Sequence, residues 1–181
     1  MNFIPLSQRS THVQSRQRIL AKAGELFRHF GFAKTTVADI AAGLAMSPAN
    51  IYKSFSSKDA IIQAVAEQEL TGLKKSIEAA VSSSSGALAR IEALALAVFH
   101  WHRELLRHES QLFQLFLFVN AQHWDCTRDF KAFLLQAIAK LIEAAAGDPV
   151  AAHQRRREVR PASVDFSYSS LIFLFAVAHC R

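Results

Sequence analysis

The sequence is poor in the residues that break helices and in those that cross-link chains. Six glycines and four prolines in 181 residues are about half the usual share for a globular chain. Because barrels and sandwiches need many turn residues, this scarcity argues against an all-β fold. Two cysteines, Cys126 and Cys180, are too few for a disulfide scaffold and fit a reducing compartment.

The sequence also lacks a membrane-spanning segment and a secretory signal. The longest purely apolar run, Leu171–Ala178, has eight residues, whereas a helix needs about 20 to span a bilayer. Residues 1–17 are polar and basic, without the continuous apolar core of a signal peptide. We therefore expect a cytoplasmic protein with no membrane partner.

Helix-forming residues are abundant by contrast. Alanine alone contributes 30 residues, and leucine, glutamate, lysine and arginine are also good helix formers. Apolar positions recur at helical spacing from about Val13, and Gly31 is a typical residue for the end of that helix. The clearest later break is Ser82–Gly86. These patterns predict an all-α protein.

The excess of positive charge lies in the N-terminal third. Residues 1–58 carry eight Lys or Arg and two acids, a net charge of +6, whereas residues 59–181 carry 13 of each sign. A basic region attracts polyanions such as nucleic acids. A solvated basic surface without a partner has the same composition, so charge alone leaves both interpretations open.

Two short helices in this basic third form a candidate helix-turn-helix. Thr36 is the expected N-cap of a helix over residues 37–44, and Ser47 is that of a second helix over residues 48–55. Pro48 suits the first turn of the second helix. A short turn between two such helices is typical of DNA-binding motifs, although a plain helical hairpin in a bundle has the same pattern.

The second helix has side chains suited to reading DNA. Ala49, Asn50 and Lys53 are expected to face outward, with Ile51 and Phe55 facing inward. In a major groove, asparagine can pair with adenine, and lysine can meet guanine or phosphate. The helix that follows is expected to be capped by Ser56 or Ser57, and helix N-termini bind phosphate readily.

Short segments spread over residues 15–65 share a spacing with one known family. They are Arg18–Phe27, Phe30–Phe32, Thr35–Val37, Ile40–Ala41, Ser47–Tyr52, Phe55 and Ser57–Lys58. Together they resemble the DNA-binding domain of TetR/AcrR-type transcriptional regulators. The resemblance implies an N-terminal three-helix DNA-binding domain with a helix-turn-helix, followed by a C-terminal helical bundle for ligand binding and dimerisation.

This resemblance implies a division of the chain into three parts. Residues 1–12 are a disordered basic arm, residues 13–75 are the DNA-binding domain with its motif at residues 36–55, and residues 76–181 are a helical regulatory and dimerisation domain. The last part is shorter than is common in the family, and we expect its end to be truncated or divergent.

The turn of the motif departs from the family pattern. The family usually has Ala-Gly-Val-Ser, whereas this chain has Leu44-Ala45-Met46-Ser47. If the turn requires a positive φ at position 45, an alanine there costs about 1 kcal/mol.

The resemblance further implies a ligand-responsive transcriptional regulator. It would act as a repressor and bind a palindromic operator in double-stranded DNA as a homodimer. The alternative is a helical interaction module that binds DNA non-specifically and responds to no inducer. The residues expected to contact DNA are Thr35, Thr36, Ser47, Pro48, Ala49, Asn50, Tyr52, Lys53 and Lys58.

The resemblance also implies a pocket for a small apolar or aromatic inducer among the C-terminal helices, where aromatic and histidine side chains cluster. The candidate lining residues are Phe99, His102, Phe113, Phe116, His123 and Trp124. An ordinary aromatic core with surface histidines also explains them. His100, Glu104 and His108 have a spacing that could face a metal, but a solvated charged face also has it, and we expect no metal or cofactor.

Sequence signatures of enzymes are missing. The sequence contains no GxSxG, Walker loop, HExxH or dinucleotide-binding fingerprint. We therefore expect a regulator and not an enzyme.

Overall fold

The computed structural model describes residues 6–147, which form seven α-helices and no strand. The all-α prediction is confirmed. Within this range no helix is long and apolar enough to cross a membrane. Cys180 and the apolar run Leu171–Ala178 lie outside the described residues. The helices are α1 (Leu6–Phe30), α2 (Val37–Gly43), α3 (Pro48–Tyr52), α4 (Lys58–Ser83), α5 (Ala87–His108), α6 (Ser110–Ala121) and α7 (Asp125–Gly147).

Glycines lie beside helix ends in the two connections that the sequence predicted as breaks. Gly31 follows α1 with a φ of +85°, and Gly86 precedes α5 with a φ of +87°. Glycine adopts this left-handed conformation without the steric cost of a Cβ. The start of α1 differs from the prediction, because the helix begins at Leu6 and not near Val13. Residues 6–12, expected to be part of a disordered arm, are therefore helical.

The chain divides into two compact units. The first comprises Met1–Leu70 and Leu105–Thr127, and its core is formed by fully buried aliphatic and aromatic side chains of five helices. They are Ile19 and Phe27 of α1, Ile40 of α2, Ile51 of α3, Ile61 of α4 and Leu115 of α6. Burying each such side chain contributes about 1.5–3 kcal/mol to the stability of the fold. This core therefore holds the short α2 and α3 in place.

A charged side chain joins three helices at the edge of the first unit. Arg28 of α1 bonds to Glu69 of α4, and its Nε donates to Glu109, which directly precedes α6, at 3.1 Å. Nearby, the rings of Phe32 and Phe118 lie 5.0 Å apart. The connection between α1 and α2 is therefore anchored on α6, far along the chain.

The second unit comprises Thr71–Glu104 and Arg128–Arg181. Its described residues belong to the end of α4, most of α5 and most of α7. The buried side chains include Leu73 and Ile77 of α4, Leu94 of α5 and Phe130 of α7. The ammonium of Lys74 lies 5.4 Å from the centre of the Phe133 ring, a cation–π contact within this unit.

Candidate nucleic-acid interface

Thr36 caps α2 through reciprocal hydrogen bonds with Asp39. The Thr36 hydroxyl accepts the Asp39 amide at 3.1 Å, and the Asp39 carboxylate accepts the Thr36 amide at 2.8 Å. The predicted N-cap is confirmed. The hydroxyl also donates to this carboxylate at 2.7 Å, and these bonds from Thr36 hold the pKa of Asp39 below its ordinary value. A carboxylate therefore already occupies the start of α2.

Thr35 points into the protein, unlike its neighbour. Its side chain is only 3% exposed, and its hydroxyl donates to the Gly31 carbonyl at 2.9 Å. The Thr35 amide donates to the same carbonyl at 3.2 Å. This corrects the expectation that Thr35 contacts DNA, because the side chain instead fastens the turn between α1 and α2.

The turn between α2 and α3 does require a left-handed residue. Ala45 has a φ of +52°, the condition under which we expected a cost for alanine. The amide of Met46 donates to Ala41 at 2.9 Å, and the Ala45 amide donates to Ala42 at 3.1 Å. These two bonds form a Schellman motif, in which glycine is the usual left-handed residue. The motif keeps its geometry here despite the alanine.

The short helix α3 presents one polar face and buries the other. Ile51 is fully buried, and Phe55, just beyond the helix, is 3% exposed. The predicted inward and outward orientations are therefore confirmed. The exposed residues of the predicted set are Thr36, Ser47, Pro48, Ala49, Asn50, Tyr52 and Lys53.

Two of the exposed side chains on α3 bond to each other. The Lys53 ammonium donates to the Asn50 amide oxygen at 3.0 Å. The two residues are three positions apart, a spacing that brings side chains together on a helix surface. The exposed surface here therefore contains a connected pair of polar groups.

The start of α4 combines a capped helix end with a lysine. The Ser57 hydroxyl accepts a hydrogen bond from the Ala60 amide at 3.1 Å. Of the two serines that the sequence offered as the cap of this helix, Ser57 is therefore the one that caps it. The Lys58 ammonium donates to the Ala33 carbonyl at 3.2 Å, and its side chain is half-buried. An ammonium has three donors, which leaves two for a phosphate.

Sequence reasoning missed Arg16. Its Nη1 donates to the Ser54 carbonyl at 2.9 Å, and its guanidinium lies over the Phe55 ring. Arg16 thereby links α1 to the segment that follows α3. No local sequence signal could have identified this contact, because the partners are far apart in the chain.

The residues predicted to line a ligand pocket divide between the two units. In the first unit, Phe116 is buried, Phe113 and Trp124 are half-buried, and His123 is exposed. In the second unit, Phe99 is half-buried, whereas His102 is 6% exposed, with its Nδ1 2.8 Å from the Val98 carbonyl oxygen. Burial lowers the pKa of His102. The inducer pocket stays a prediction.

The alternative metal site does not form in the part of the chain that the structure describes. Between residues 6 and 147, no group of three or more His, Cys, Asp or Glu is placed to hold a metal ion. His100, Glu104 and His108 therefore do not act together as ligands there.

Residues 19–65 match the family model described as bacterial regulatory proteins, tetR family. This segment of the chain is a tetR-family domain. Its matched range contains all of α2 and α3, and the TetR-family resemblance seen in the sequence is thereby confirmed. No curated protein matches the sequence.

Solved structures include several TetR-family proteins with a similar fold. A tetR-family regulatory protein from Rhodococcus RHA1 is 25% identical, with a TM-score of 0.57, over 73% of this chain and 70% of that one. FadR from Thermus thermophilus, in complex with lauroyl-CoA, is 22% identical, with a TM-score of 0.54, over 90% of this chain and 81% of that one.

A third similar structure is the fatty acid degradation regulator FadR from Bacillus halodurans. It is 14% identical, with a TM-score of 0.52, over 69% of this chain. The match spans 66% of that protein, just under two thirds of its length. The family match supports a DNA-binding regulator, and proteins of that family are transcriptional regulators and not enzymes. The solved structures support the fold.

Proposed function

We propose that the protein is a repressor that binds a palindromic operator as a homodimer and releases it when a small molecule binds. The observation that carries this proposal is the exposed polar face of α3, which buried Ile51 and Phe55 hold in place. In the dimer, each α3 enters a major groove. Because both subunits present the same helix, the operator has two related half-sites, with centres about 34–36 Å or slightly further apart.

Charge supplies the attraction that brings this face to DNA. The net charge of +6 in residues 1–58 equals that of the whole chain, so the charge that attracts phosphate lies in the part of the chain that contains the helix-turn-helix. Neutralising phosphates releases counterions, which makes such binding weaken steeply as salt rises. Because its target is the chromosome, we place the protein in the cytoplasm.

Two observations support the proposed response to a small molecule. They are the aromatic side chains that follow Gly86 and the match to the family. FadR from Thermus thermophilus was solved with lauroyl-CoA, and we propose an apolar or aromatic inducer for this protein as well. Such a ligand releases DNA only if it binds better to a form whose half-site spacing does not fit the operator.

Selection of duplexes from a random DNA pool tests operator binding. Anisotropy titrations of the selected duplex at two salt concentrations then measure affinity and its salt dependence. Enrichment of a palindrome with salt-sensitive affinity supports the proposal. Salt-sensitive binding without an enriched sequence supports the alternative, a helical module that binds DNA non-specifically.

Titration of lauroyl-CoA into the preformed complex with the selected duplex tests the response. Coenzyme A without the acyl chain is the matched control, because it keeps the charge and loses the apolar part. Release of DNA by the acyl form alone supports an apolar inducer. Tight binding of lauroyl-CoA with unchanged operator affinity contradicts that role for this ligand.

A further inference from the structure

The bond between Asn50 and Lys53 changes what α3 offers to a base. Both side chains are exposed, and the Lys53 ammonium donates to the Asn50 amide oxygen at 3.0 Å. An asparagine with a free amide group pairs with adenine by accepting from N6 through its oxygen and donating to N7 through its nitrogen. Lys53 engages one of the two lone pairs of that oxygen, so adenine N6 would have to share the oxygen with the ammonium.

The bonded pair therefore presents donors. Asn50 contributes the two hydrogens of its amide nitrogen, and the Lys53 ammonium keeps two of its three hydrogens. In the major groove, guanine presents two acceptors, N7 and O6, whereas adenine presents an acceptor beside a donor and cytosine presents a donor. A surface with several donors and a single free lone pair matches the two acceptors of guanine better than it matches adenine, whose N6 donor would face other donors.

Neither carboxylate in residues 1–58 is bonded to the Lys53 ammonium, which bonds to the Asn50 amide instead. Residues 1–58 contain only two carboxylates, Glu25 and Asp39. Glu25 pairs with Lys22, and Asp39 is held by the cap at Thr36. Lys53 bonds to a neutral group and keeps its full charge for the DNA.

We propose that Asn50 and Lys53 act as one unit that specifies guanine in each operator half-site. The inference rests on the proposed function, since it assumes that α3 lies in a major groove. Lys53 has two effects in this unit: it donates to guanine, and by bonding to the Asn50 oxygen it competes with the adenine pairing that Asn50 alone would favour. Lys53 is therefore a specificity-determining residue and not only a phosphate contact.

Duplex selection with four proteins tests the pair. The wild type is compared with Lys53→Met, which removes the ammonium but keeps an unbranched side chain, and with Lys53→Arg, which keeps donors. Lys34→Met is the matched control, because it removes one exposed positive charge of the basic third outside α3. Circular dichroism and urea unfolding of each variant establish that it is folded.

The wild type, Lys53→Arg and Lys34→Met should all select guanine at the half-site position facing α3. Lys53→Met should select adenine there, with a change in relative affinity of at least about tenfold, the effect of one good bidentate base contact. Titrations of paired duplexes that differ only at this base measure the change for each protein.

Two outcomes would overturn this inference without contradicting the proposed function. One is selection of adenine by the wild type as well as by Lys53→Met. The other is an equal loss of affinity for every base in Lys53→Met, which would make Lys53 a phosphate contact. Failure of the wild type to enrich any sequence would instead contradict the proposed function, and with it this inference.

Discussion

The guanidinium carbon of Arg16 lies 4.1 Å from the centre of the Phe55 ring. The same group donates to the Ser54 carbonyl, so one side chain of α1 holds both the backbone and the ring that follow α3. Phe55 is itself buried in the core beneath α3. The orientation of α3 thus depends on a residue outside the helix-turn-helix.

Replacing Arg16 should therefore destabilise the domain. We expect Arg16→Ala to lower the free energy of unfolding by about 1–2 kcal/mol, since a cation–π contact and a hydrogen bond from a charged group are lost. Urea unfolding measures the change. Arg18→Ala, at another exposed position of α1, is the matched control and should change stability by less than about 0.5 kcal/mol. Equal effects of the two substitutions would argue against the Arg16 contact.

The left-handed alanine of the turn predicts a stabilising substitution. Ala45→Gly should raise the free energy of unfolding by about 0.5–1 kcal/mol, because glycine adopts a positive φ without steric cost. Ala42→Gly is the matched control, since it lies within α2, where the same change should destabilise by about 0.5–1 kcal/mol. Urea unfolding should thus show changes of opposite sign in the free energy of unfolding for the two variants. A loss of stability in Ala45→Gly would contradict the strain assigned to this turn.

Substitution of Gly31 should destabilise the protein because of the backbone conformation at this position. Its φ is +85°, and an added Cβ would lie 2.5 Å from the Gln111 side-chain oxygen. That oxygen ends a flexible side chain and can move, so we assign the cost mainly to the backbone: Gly31→Ala should lose about 1–2 kcal/mol of unfolding free energy.

Two further variants separate these causes. Adding Gln111→Ala to Gly31→Ala should restore little stability, and a full rescue would show that the steric contact is responsible instead. Gly72→Ala, in α4 with no atom within 4 Å of the added Cβ, should stabilise by about 1 kcal/mol through helix propensity.

Lys58 should contribute to affinity and not to sequence preference. Lys58→Ala is expected to weaken binding to all duplexes alike and to reduce the slope of log affinity against log salt by about one. Lys75→Ala removes an exposed charge further along the same helix and should leave both quantities unchanged. Anisotropy titrations at several salt concentrations give the slopes. A change in base preference in Lys58→Ala would contradict a phosphate role.

Burial of His102 should make stability depend on pH. Desolvation lowers its pKa in the folded protein from the ordinary 6.5, so below that pH the unfolded chain binds a proton that the folded chain does not. Stability is therefore greatest above pH 6.5 and falls as the pH drops toward the folded pKa, with a slope of up to about 1.4 kcal/mol per pH unit.

Urea unfolding between pH 7.5 and 5.5 measures this slope. His102→Gln should reduce it, because glutamine does not titrate in this range. His100→Gln, two residues earlier and exposed, should retain the wild-type slope. An unchanged slope in His102→Gln would show that other groups cause the pH dependence.

Local chemistry was sufficient to predict much of the helix-turn-helix from the sequence. The cap at Thr36, the helix end at Gly31 and the inward orientation of Ile51 each depend on residues within a few positions of one another. For the same reason the positive φ at Ala45 could be anticipated from a short turn. The sequence by itself therefore determined the all-α class, the basic N-terminal third and the side of α3 that faces outward.

Only the tertiary structure decided which neighbours these elements have. It turned Thr35 inward while leaving Thr36 exposed, placed Arg16 over Phe55, and brought α6 against α1. Periodicity predicts that a helix has a buried face but not which distant helix covers it, because the packing free energy depends on the shape of both surfaces. The residues that orient α3 were for that reason visible only once the helices were packed together.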